Sequence, residues 1–290
     1  EDFMERLYRI ISFPTFINMI ENKVERYVNP TSWEDTYEGY MLRMMEKSEN
    51  RKKVIEVLFD IVSPNKIEDV ITNYLKLWAA RWLCYGQCWS KTDESDAMWR
   101  IYCYDKMAVR IETTEDEIYS LLNHSNLPKT CVTEIRDVEY DLDSENILKS
   151  QAQVLKECQK TVDPFFHKRQ AFEHENEKRV IIFDKEKSAI TGFTAKGAAF
   201  NFHKNNQEIP LDKGLLFSKI EDEIIKMQYP YDEENLKREM LINIPDISRY
   251  IKSVMVHPQA DDWIVNLVEK ICNRVGIKCV GKSHMYDKLV

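Results

Sequence analysis

Three charged residues alternate along one short segment of the sequence, just before a run of β-branched residues. Glu175, Glu177 and Arg179 are spaced two apart, and positions 180–182 follow as Val-Ile-Ile. In a strand that begins near Glu175, alternate side chains share one face, so both carboxylates and the guanidinium would lie together. Such a pair can serve as acid and base in a cleft, with Arg179 holding one carboxylate ionised. The alternative is a solvated edge strand that carries a Glu–Arg surface pair.

A serine and two aromatic residues form a second segment of interest. Ser90 lies at the end of a predicted strand, Gln87–Ser90, and a predicted helix over 96–104 follows a polar turn. Trp99 and Tyr102 are three residues apart, a spacing that puts them on one helical face. The segment predicts one aromatic wall of a cleft. Packing of at least one of these rings into the core is the alternative.

Two segments nearer the N-terminus carry further candidates. Arg9 lies in an otherwise apolar predicted strand, so its charge must face solvent or be paired in a cleft. The polar and aromatic segment 31–38 includes Trp33, Asp35 and Glu38. Its composition is too aromatic for a linker, and we interpret it as one lip of a pocket or as a well-packed loop.

The predicted elements indicate an α+β fold with a central, mostly antiparallel sheet and helical insertions, because strands alternate with helices without regular βαβ spacing. No linker divides the sequence, so a single domain over 1–290 is expected. The segment 192–214 is predicted to be a loop that holds a hairpin. The predicted strands are Leu7–Ile11, Arg26–Asn29, Gln87–Ser90, Ala108–Glu112, Thr133–Tyr140, Lys178–Phe183, Arg249–Val256 and Cys279–Val280. The predicted helices follow Ser12 and span Lys53–Val62, Ile67–Leu83, 96–104, Glu115–Leu122, Glu145–Phe166 and Ala260–Val275.

Composition limits the classes of function. The net charge of −8 disfavours tight, nonspecific binding of nucleic acid, which needs a basic surface. No apolar run approaches the ~18 residues of a membrane span, so a cytoplasmic protein without a membrane partner is expected. Seven cysteines without paired CxxC spacing predict free thiols and no disulfide. The histidines do not cluster at ligand spacing, so no metal site is expected.

In their order along the chain, these segments resemble a bacterial and phage-associated family that is classified only as a domain of unknown function. Its pattern joins Tyr-Arg-x-x-Ser, Asn-Pro-x-x-Phe/Trp-x-Asp-x-x-Glu, Cys-Phe/Trp-Ser, Met-Trp-x-x-Tyr and Glu-x-Glu-x-Arg. The resemblance covers about 7–183, with Thr36 where the family has Pro, and leaves 184–290 as a C-terminal extension. The matching residues here are Tyr8, Arg9, Ser12, Asn29, Pro30, Trp33, Asp35, Glu38, Cys88, Trp89, Ser90, Met98, Trp99, Tyr102, Glu175, Glu177 and Arg179.

The order of Arg9, Ser90-Lys91-Thr92 and Glu175-Asn176-Glu177 is also similar to that of ADP-ribosyltransferases of the Arg–Ser–Glu type. This similarity implies an ADP-ribosyltransferase-like fold and NAD as the substrate. It implies that Arg9 binds an NAD phosphate and that Ser90 orients Glu177 or the nicotinamide ribose. Glu177 would then stabilise the oxocarbenium-like transition state, and Glu175 would deprotonate or position the acceptor. Trp99 or Tyr102 would stack on nicotinamide, and Arg179 would complete the NAD-binding set.

Two other classes of function remain open at this point. One is a metal-dependent nuclease or other hydrolase, with Asp35, Glu38, Glu175 and Glu177 around Mg²⁺. The other is a non-catalytic sensor that binds a nucleotide or a phage protein in the same cleft. For a transferase, the expected partners are NAD and a protein or nucleic-acid acceptor. A bacterial toxin or antiviral defence system is the expected context, with an antitoxin or a phage protein as a further partner.

Overall fold

A computed structural model describes residues 5–45, 47–63, 66–103, 105–158, 160–184, 197, 204, 212–226 and 238–287. The chain begins with strand β1 (Arg6–Ser12), helix α1 (Phe13–Asn22) and strand β2 (Val24–Val28). The predicted cap at Ser12 is confirmed, since its Oγ accepts a hydrogen bond from the Thr15 backbone N–H. After helix α1, Lys23 adopts a left-handed conformation (φ 50°), which turns the chain into β2.

A helical region follows β2 and leads back to the sheet. It comprises α2 (Tyr40–Met44), α3 (Ser48–Val57), a π-helical turn (Leu58–Val62) and α4 (Ile67–Leu83). Of these, α4 has the bounds predicted from the sequence. Strand β3 (Cys84–Ser90) continues directly from α4. Next come α5 (Asp96–Tyr102), β4 (Ala108–Thr114), α6 (Glu115–His124), β5 (Cys131–Asp137), β6 (Glu139–Leu142) and α7 (Ile147–Cys158).

The remaining described elements begin with β7 (His167–Arg169), a 3₁₀ turn (Gln170–Glu175) and β8 (Glu177–Asp184). They end with α8 (Lys213–Lys226), β9 (Glu239–Asn243), α9 (Ile247–Tyr250), β10 (Ser253–Val256), α10 (Asp262–Val275) and β11 (Lys278–Lys282). The predicted loop and hairpin at 192–214 lie outside the described residues, apart from 197, 204 and 212–214.

The central sheet is mostly antiparallel, as predicted. Its strand order is β11-β10-β4-β1-β3-β2-β9, with β8 paired to β3 and β5 paired to β8; β10 and β11 pair in parallel. The C-terminal strands β9 and β10 pair with β2 and β4, so residues beyond 184 are integral to this sheet. Strands β6 and β7 form a separate parallel pair.

Two apolar cores pack around the sheet. One lies among α2, α3, α4, α7 and α8 and includes Tyr74 and Ile181. The other lies among α1, α6, α9 and α10 and includes Phe16 and Val180. Because Val180 and Ile181 are neighbours on β8, they point to opposite faces and serve different cores. Among the described residues, no helix has the length and apolarity needed to cross a membrane.

Three predicted elements were wrong in type or length. The predicted strand at Arg249–Val256 starts as helix α9, because the Asp246 side chain caps the Arg249 N–H, and only Ser253–Val256 is extended. The predicted helix at Glu145–Phe166 ends at Cys158, and Pro164 lies in a separate 3₁₀ turn. The predicted strand Thr133–Tyr140 is divided into β5 and β6.

The sheet opens where β3 meets its N-terminal neighbours. β3 pairs with β8 over seven positions, from Cys84↔Phe183 to Ser90↔Glu177. It pairs with β1 at Tyr8↔Ser90 and with β2 at Val28↔Gly86. Because β8 pairs along one edge of β3, β1 and β2 share the other edge, and a single pairing each, at Ser90 and Gly86, lets them diverge from β3 beside the cleft.

Candidate functional site

The cleft at this opening has a volume of about 460 Å³, a size typical of small-molecule sites. Most of the residues singled out from the sequence lie on its wall, although they come from separate elements. Residues that line it include Arg9, Glu25, Trp33, Asp35, Glu38, Gly86, Gln87, Cys88, Ile101, Tyr102, Lys168, Phe172, Glu175, Glu177 and Arg179. Ser90 and Trp99 are not among the lining residues.

Glu177 is held as a carboxylate by Arg179. The Nε and Nη2 atoms of Arg179 each lie 2.7 Å from Glu177 Oε2, and both side chains are buried. Burial alone would raise the pKa of Glu177, but Arg179, a hydrogen bond from Glu175 and Lys168 together hold it well below its usual value. Glu177 is therefore ionised at neutral pH. The Tyr140 hydroxyl accepts a hydrogen bond of 2.7 Å from the Glu177 backbone N–H.

Glu175 does not share the strand with Glu177, so the predicted common strand face is wrong for this residue. It ends the 3₁₀ turn, and Asn176 turns the chain in a left-handed conformation (φ 45°) before β8 begins. The two carboxyl groups nevertheless share a hydrogen bond. Burial, this hydrogen bond and the charge of Glu177 raise the pKa of Glu175 to about 8. At neutral pH the site thus holds a protonated Glu175 beside an ionised Glu177.

Lys168 is a central residue of the site that the sequence reasoning missed. Its Nζ lies 2.6 Å from Glu175 Oε2, 3.0 Å from Glu177 Oε1 and 3.1 Å from Glu38 Oε1. Burial would lower the pKa of this ammonium, but the three carboxyl groups outweigh it and raise the pKa. The residue lies on the three-residue strand β7, which is too short to leave a periodic signal in the sequence.

Glu38 lines the cleft and also belongs to this buried cluster. Its Oε2 lies 2.7 Å from Arg179 Nη2, while Oε1 contacts Lys168. Asp35 is directed differently, because it pairs with Arg169 at 2.9 Å and accepts the Tyr37 backbone N–H at 3.0 Å. Both residues line the cleft, but only Glu38 contacts the carboxylate pair through shared cations.

Trp33 covers Arg179, and the position of its ring depends on Gly86, which lies opposite it. Its ring lies 4.6 Å from the Arg179 guanidinium carbon. A Cβ atom at Gly86 would come within 2.6 Å of the Trp33 ring and 2.8 Å of Ile181. Only glycine leaves room for Trp33 to approach β3 this closely. Trp33 is therefore both a wall of the cleft and a cover that excludes water from the buried ion pairs.

Arg9 lines the cleft, but its guanidinium is already paired. Arg9 Nη2 lies 2.8 Å from Glu25 Oε1, and the guanidinium lies over the Trp89 ring at 4.7 Å. Glu25 is fixed in turn by the Tyr250 hydroxyl at 3.0 Å. An anionic ligand would therefore meet an oriented Arg9 whose charge Glu25 partly offsets. The sequence located Arg9 but gave no sign of Glu25.

The predicted aromatic wall contains Tyr102 but not Trp99. Trp99 is fully buried, its indole N–H donates to Glu94 at 2.8 Å, and its ring packs against His257. Tyr102 is exposed and lines the cleft beside Ile101. Burial and the charges of Glu175 and Glu177 raise the pKa of the Tyr102 hydroxyl, so it stays protonated.

Ser90 supports the site from behind. Its Oγ donates a hydrogen bond of 2.7 Å to the Glu175 carbonyl oxygen and accepts the Thr92 backbone N–H at 3.0 Å. The residue is buried and fixes the main chain that carries Glu175. The predicted contact of Ser90 with a ligand or with the Glu177 carboxylate therefore has no counterpart in these contacts.

Metal ligation in the cleft would compete with an ammonium group. Lys168 Nζ occupies the point on which Glu38, Glu175 and Glu177 converge. Elsewhere in the described chain, Glu139, Asp141 and His167 bring potential ligand atoms within 4.8 Å of one another. Both acids are exposed, and His167 already contacts Asp141 at 2.8 Å, so this group also fits a surface hydrogen-bonded pair, and we assign no metal to it.

The cysteines are free, as predicted from their number and spacing. Cys88 lines the cleft, but burial raises the pKa of its thiol and keeps it protonated. A protonated thiol is a poor nucleophile, so the carboxyl pair remains the reactive feature of the cleft.

No protein-family model matches this chain, and no curated protein or solved structure is significantly similar to it.

Proposed function

We propose that this protein is an NAD-dependent ADP-ribosyltransferase that breaks the N-glycosidic bond of NAD in the cleft. The observation that supports this most is the carboxyl pair, in which Glu177 is ionised and the pKa of the neighbouring Glu175 is raised to about 8. Two carboxyl groups with separated pKa values are a recurrent arrangement for cleaving glycosidic bonds.

In the proposed reaction the bond between ribose C1′ and the nicotinamide nitrogen breaks, and its electron pair stays on nicotinamide. Positive charge develops on the ribose ring, and the Glu177 carboxylate stabilises it while accepting a hydrogen bond from the ribose 2′-hydroxyl. A nucleophilic oxygen or nitrogen of the acceptor then bonds to C1′ and loses a proton. The products are nicotinamide, the ADP-ribosylated acceptor and one proton.

Glu175 receives the acceptor's proton in this scheme, which requires its ionised form. The positive charge of the bound nicotinamide ring favours ionisation of a neighbouring carboxyl group, and so lowers the pKa of Glu175 from its value in the free protein. Below about pH 8 the free protein holds Glu175 protonated. Binding of NAD would therefore prepare the base for the reaction by releasing its proton.

The rest of the cleft supplies groups suited to the other parts of NAD. Tyr102 and Phe172 offer ring faces for a flat heterocycle near the carboxyl pair. Arg9, oriented by Glu25 and Trp89, offers the remaining donors of its guanidinium to a phosphate. The metal-dependent hydrolase considered above is less favoured, because the Lys168 ammonium lies where a bound cation would need the carboxylates.

The test is release of nicotinamide from NAD by the purified protein, with and without EDTA. We expect release in both conditions, and loss of release in Glu177→Gln. If NAD stays intact at every pH between about 6 and 9, with cell extract supplied as a source of acceptor, the proposal is wrong. Cleavage of RNA or DNA that EDTA abolishes would favour the metal-dependent hydrolase, and NAD binding without turnover would favour a sensor.

A further inference from the structure

The buried cluster at the base of the cleft contains more acidic groups than basic ones. Glu38, Glu175 and Glu177 face Lys168 and Arg179, and every one of these side chains is buried. Ionised carboxylates are expensive to bury without a matching cation. With all three carboxyl groups ionised the cluster would carry one unmatched negative charge, so one bound proton makes it neutral.

The contacts decide which carboxyl group holds that proton. Glu177 contacts both cations, with Oε2 on Arg179 and Oε1 on Lys168. Glu38 also contacts both, with Oε2 on Arg179 and Oε1 on Lys168. Of these two cations, Glu175 contacts Lys168, so its negative charge is offset less than that of Glu38 or Glu177. Glu175 is therefore the protonated member.

Lys168 is the cation common to all three acids. An ammonium has three N–H donors, and here each carboxyl group lies within hydrogen-bonding distance of Nζ. Two of these contacts, to Glu175 and Glu177, are hydrogen bonds, and the third is an ion pair with Glu38, so Nζ is held at the centre of the three acids. The side chain also passes over the Phe172 ring, which lies 4.4 Å from Nζ.

We propose that Lys168 is a positioning residue, which with Glu38 sets the number of protons on the Glu175–Glu177 pair and aims both carboxyl groups into the cleft. In this role Lys168 acts through the carboxyl groups that it contacts and takes no part in bond making itself. The catalytic part of this proposal rests on the proposed function, whereas the proton count does not. Other titratable groups near Glu175 are Tyr102 on α5, Tyr140 on β6 and Cys88 on β3, and the pKa of each is raised, so all three stay protonated at neutral pH.

Two substitutions in this cluster should shift the titration midpoint of Glu175 in opposite directions. Lys168→Met removes a cation, so the pair should take up a further proton and the Glu175 titration midpoint should rise by about one pH unit or more. Glu38→Gln removes an anion, so two carboxyl groups then face two cations. The midpoint should fall by about one pH unit or more. Lys160→Met, an exposed lysine on a surface ion pair, should leave it unchanged.

The experiment follows the side-chain carboxyl carbon signals of Glu175 and Glu177 by ¹³C NMR as the pH is varied, in wild type and in each variant. Shifts of opposite sign in Lys168→Met and Glu38→Gln support the proposal. Shifts of the same sign, or none in either folded variant, overturn it. If Lys168→Met does not fold, Glu38→Gln decides alone, because a midpoint that stays at or rises above the wild-type value contradicts the proton count.

The activity readout separates this inference from the proposed function. If wild type cleaves NAD, Lys168→Met should lower kcat by roughly a hundredfold while KM changes little, and Lys168→Arg should recover part of kcat by restoring the charge. An equal loss in Lys168→Arg and Lys168→Met would contradict the positioning role. If wild type does not cleave NAD, the proposed function fails, and the NMR titration still tests the proton count.

Discussion

Glu175 and Glu177 share a hydrogen bond although they belong to different elements of secondary structure, the end of a 3₁₀ turn and the start of β8. The left-handed Asn176 between them reverses the local direction of the chain, so both carboxyl groups reach Lys168. In a continuous strand the two Cα atoms would lie about 7 Å apart and would present the carboxyl groups side by side. The two carboxyl groups have unequal acidities because burial raises the pKa of Glu175, whereas Arg179 outweighs burial and lowers the pKa of Glu177.

Glu177→Gln should abolish most of the NAD cleavage while the protein stays folded. Glutamine keeps the shape of the side chain but removes the charge that stabilises the ribose cation, so turnover should fall by roughly a hundredfold or more. The measurement is nicotinamide release, with circular dichroism to verify folding. Glu173→Gln, an exposed glutamate in the preceding turn, is the matched control and should be fully active. Equal activity of the two variants would remove Glu177 from the mechanism.

Glu175 should make the stability of the protein depend on pH in the window between about 4.5 and 8. The pKa of Glu175 in the folded state is raised above its ordinary value. Its contribution to the free energy of unfolding is therefore fully present below about pH 4.5 and is lost as the pH rises through about 8. Glu177 has a lowered pKa, and its contribution is lost only in more acidic solution. The free energy of unfolding of wild type should therefore fall with rising pH relative to that of Glu175→Gln, by up to about 5 kcal/mol across this window.

Urea unfolding at several pH values measures this difference directly. Glutamine imitates the protonated carboxyl group as a hydrogen-bond donor but cannot ionise. Both proteins contain the same six histidines, so the effect of the histidines on the pH dependence of stability cancels in the comparison. A constant difference between wild type and Glu175→Gln from pH 5 to about 9 would contradict the assignment of the proton to Glu175.

Glu175 should also affect transfer more than hydrolysis. In the proposed reaction Glu175 takes the acceptor's proton. Attack of water on the ribose cation, which gives hydrolysis, depends less on a base. Glu175→Gln should therefore reduce incorporation of radiolabelled ADP-ribose into acceptor more strongly than nicotinamide release. In wild type the ratio of transfer to hydrolysis should rise with pH. A parallel loss of both activities would argue that Glu175 only supports Glu177.

The sequence predicted the central sheet and most residues of the cleft, because these features follow from local patterns. Alternation located β4, a run of β-branched residues located β8, and a charged residue inside an apolar segment marked Arg9. Sequence reasoning failed where tertiary contacts decide the outcome. Trp99 has the same helical spacing from Tyr102 in either orientation of α5, and only its packing against His257 places it in the core.

Lys168 and Glu25 were missed for a related reason. Each is a charged residue whose partners are distant in the sequence or lie across a turn, so its burial leaves no periodic signal. Buried ions in such pairs are found only when the surrounding charges are known. The strand that carries Ser90 was predicted, but the sequence cannot show that the Ser90 hydroxyl donates to the Glu175 main chain.

Arg9 should contribute to NAD affinity, with Glu25 as a competitor for its guanidinium. Arg9→Gln should weaken NAD binding about tenfold or more, measured by calorimetry. It also leaves Glu25 buried without its cation, which should destabilise the fold. The double variant Arg9→Gln/Glu25→Gln should recover stability but not affinity. Recovery of both, or unchanged affinity in the single variant, would exclude Arg9 from the binding site. Arg100→Gln, on the exposed face of α5, is the control.

Gly86 should be intolerant of even one added methyl group, because its position fixes Trp33 over Arg179. Gly86→Ala would place Cβ 2.6 Å from the Trp33 ring and 2.8 Å from Ile181, so at least one of them must move. Such overpacking typically costs about 1–3 kcal/mol, and displaced Trp33 would admit water to the buried Arg179–Glu177 pair. Unfolding measurements and the tryptophan emission spectrum report the two effects. Trp33→Ala should cost less stability in the Gly86→Ala background than in wild type, because it also removes the larger of the two obstacles to the added methyl group. If the double variant is no more stable than the sum of the single changes predicts, Trp33 is not what restricts position 86.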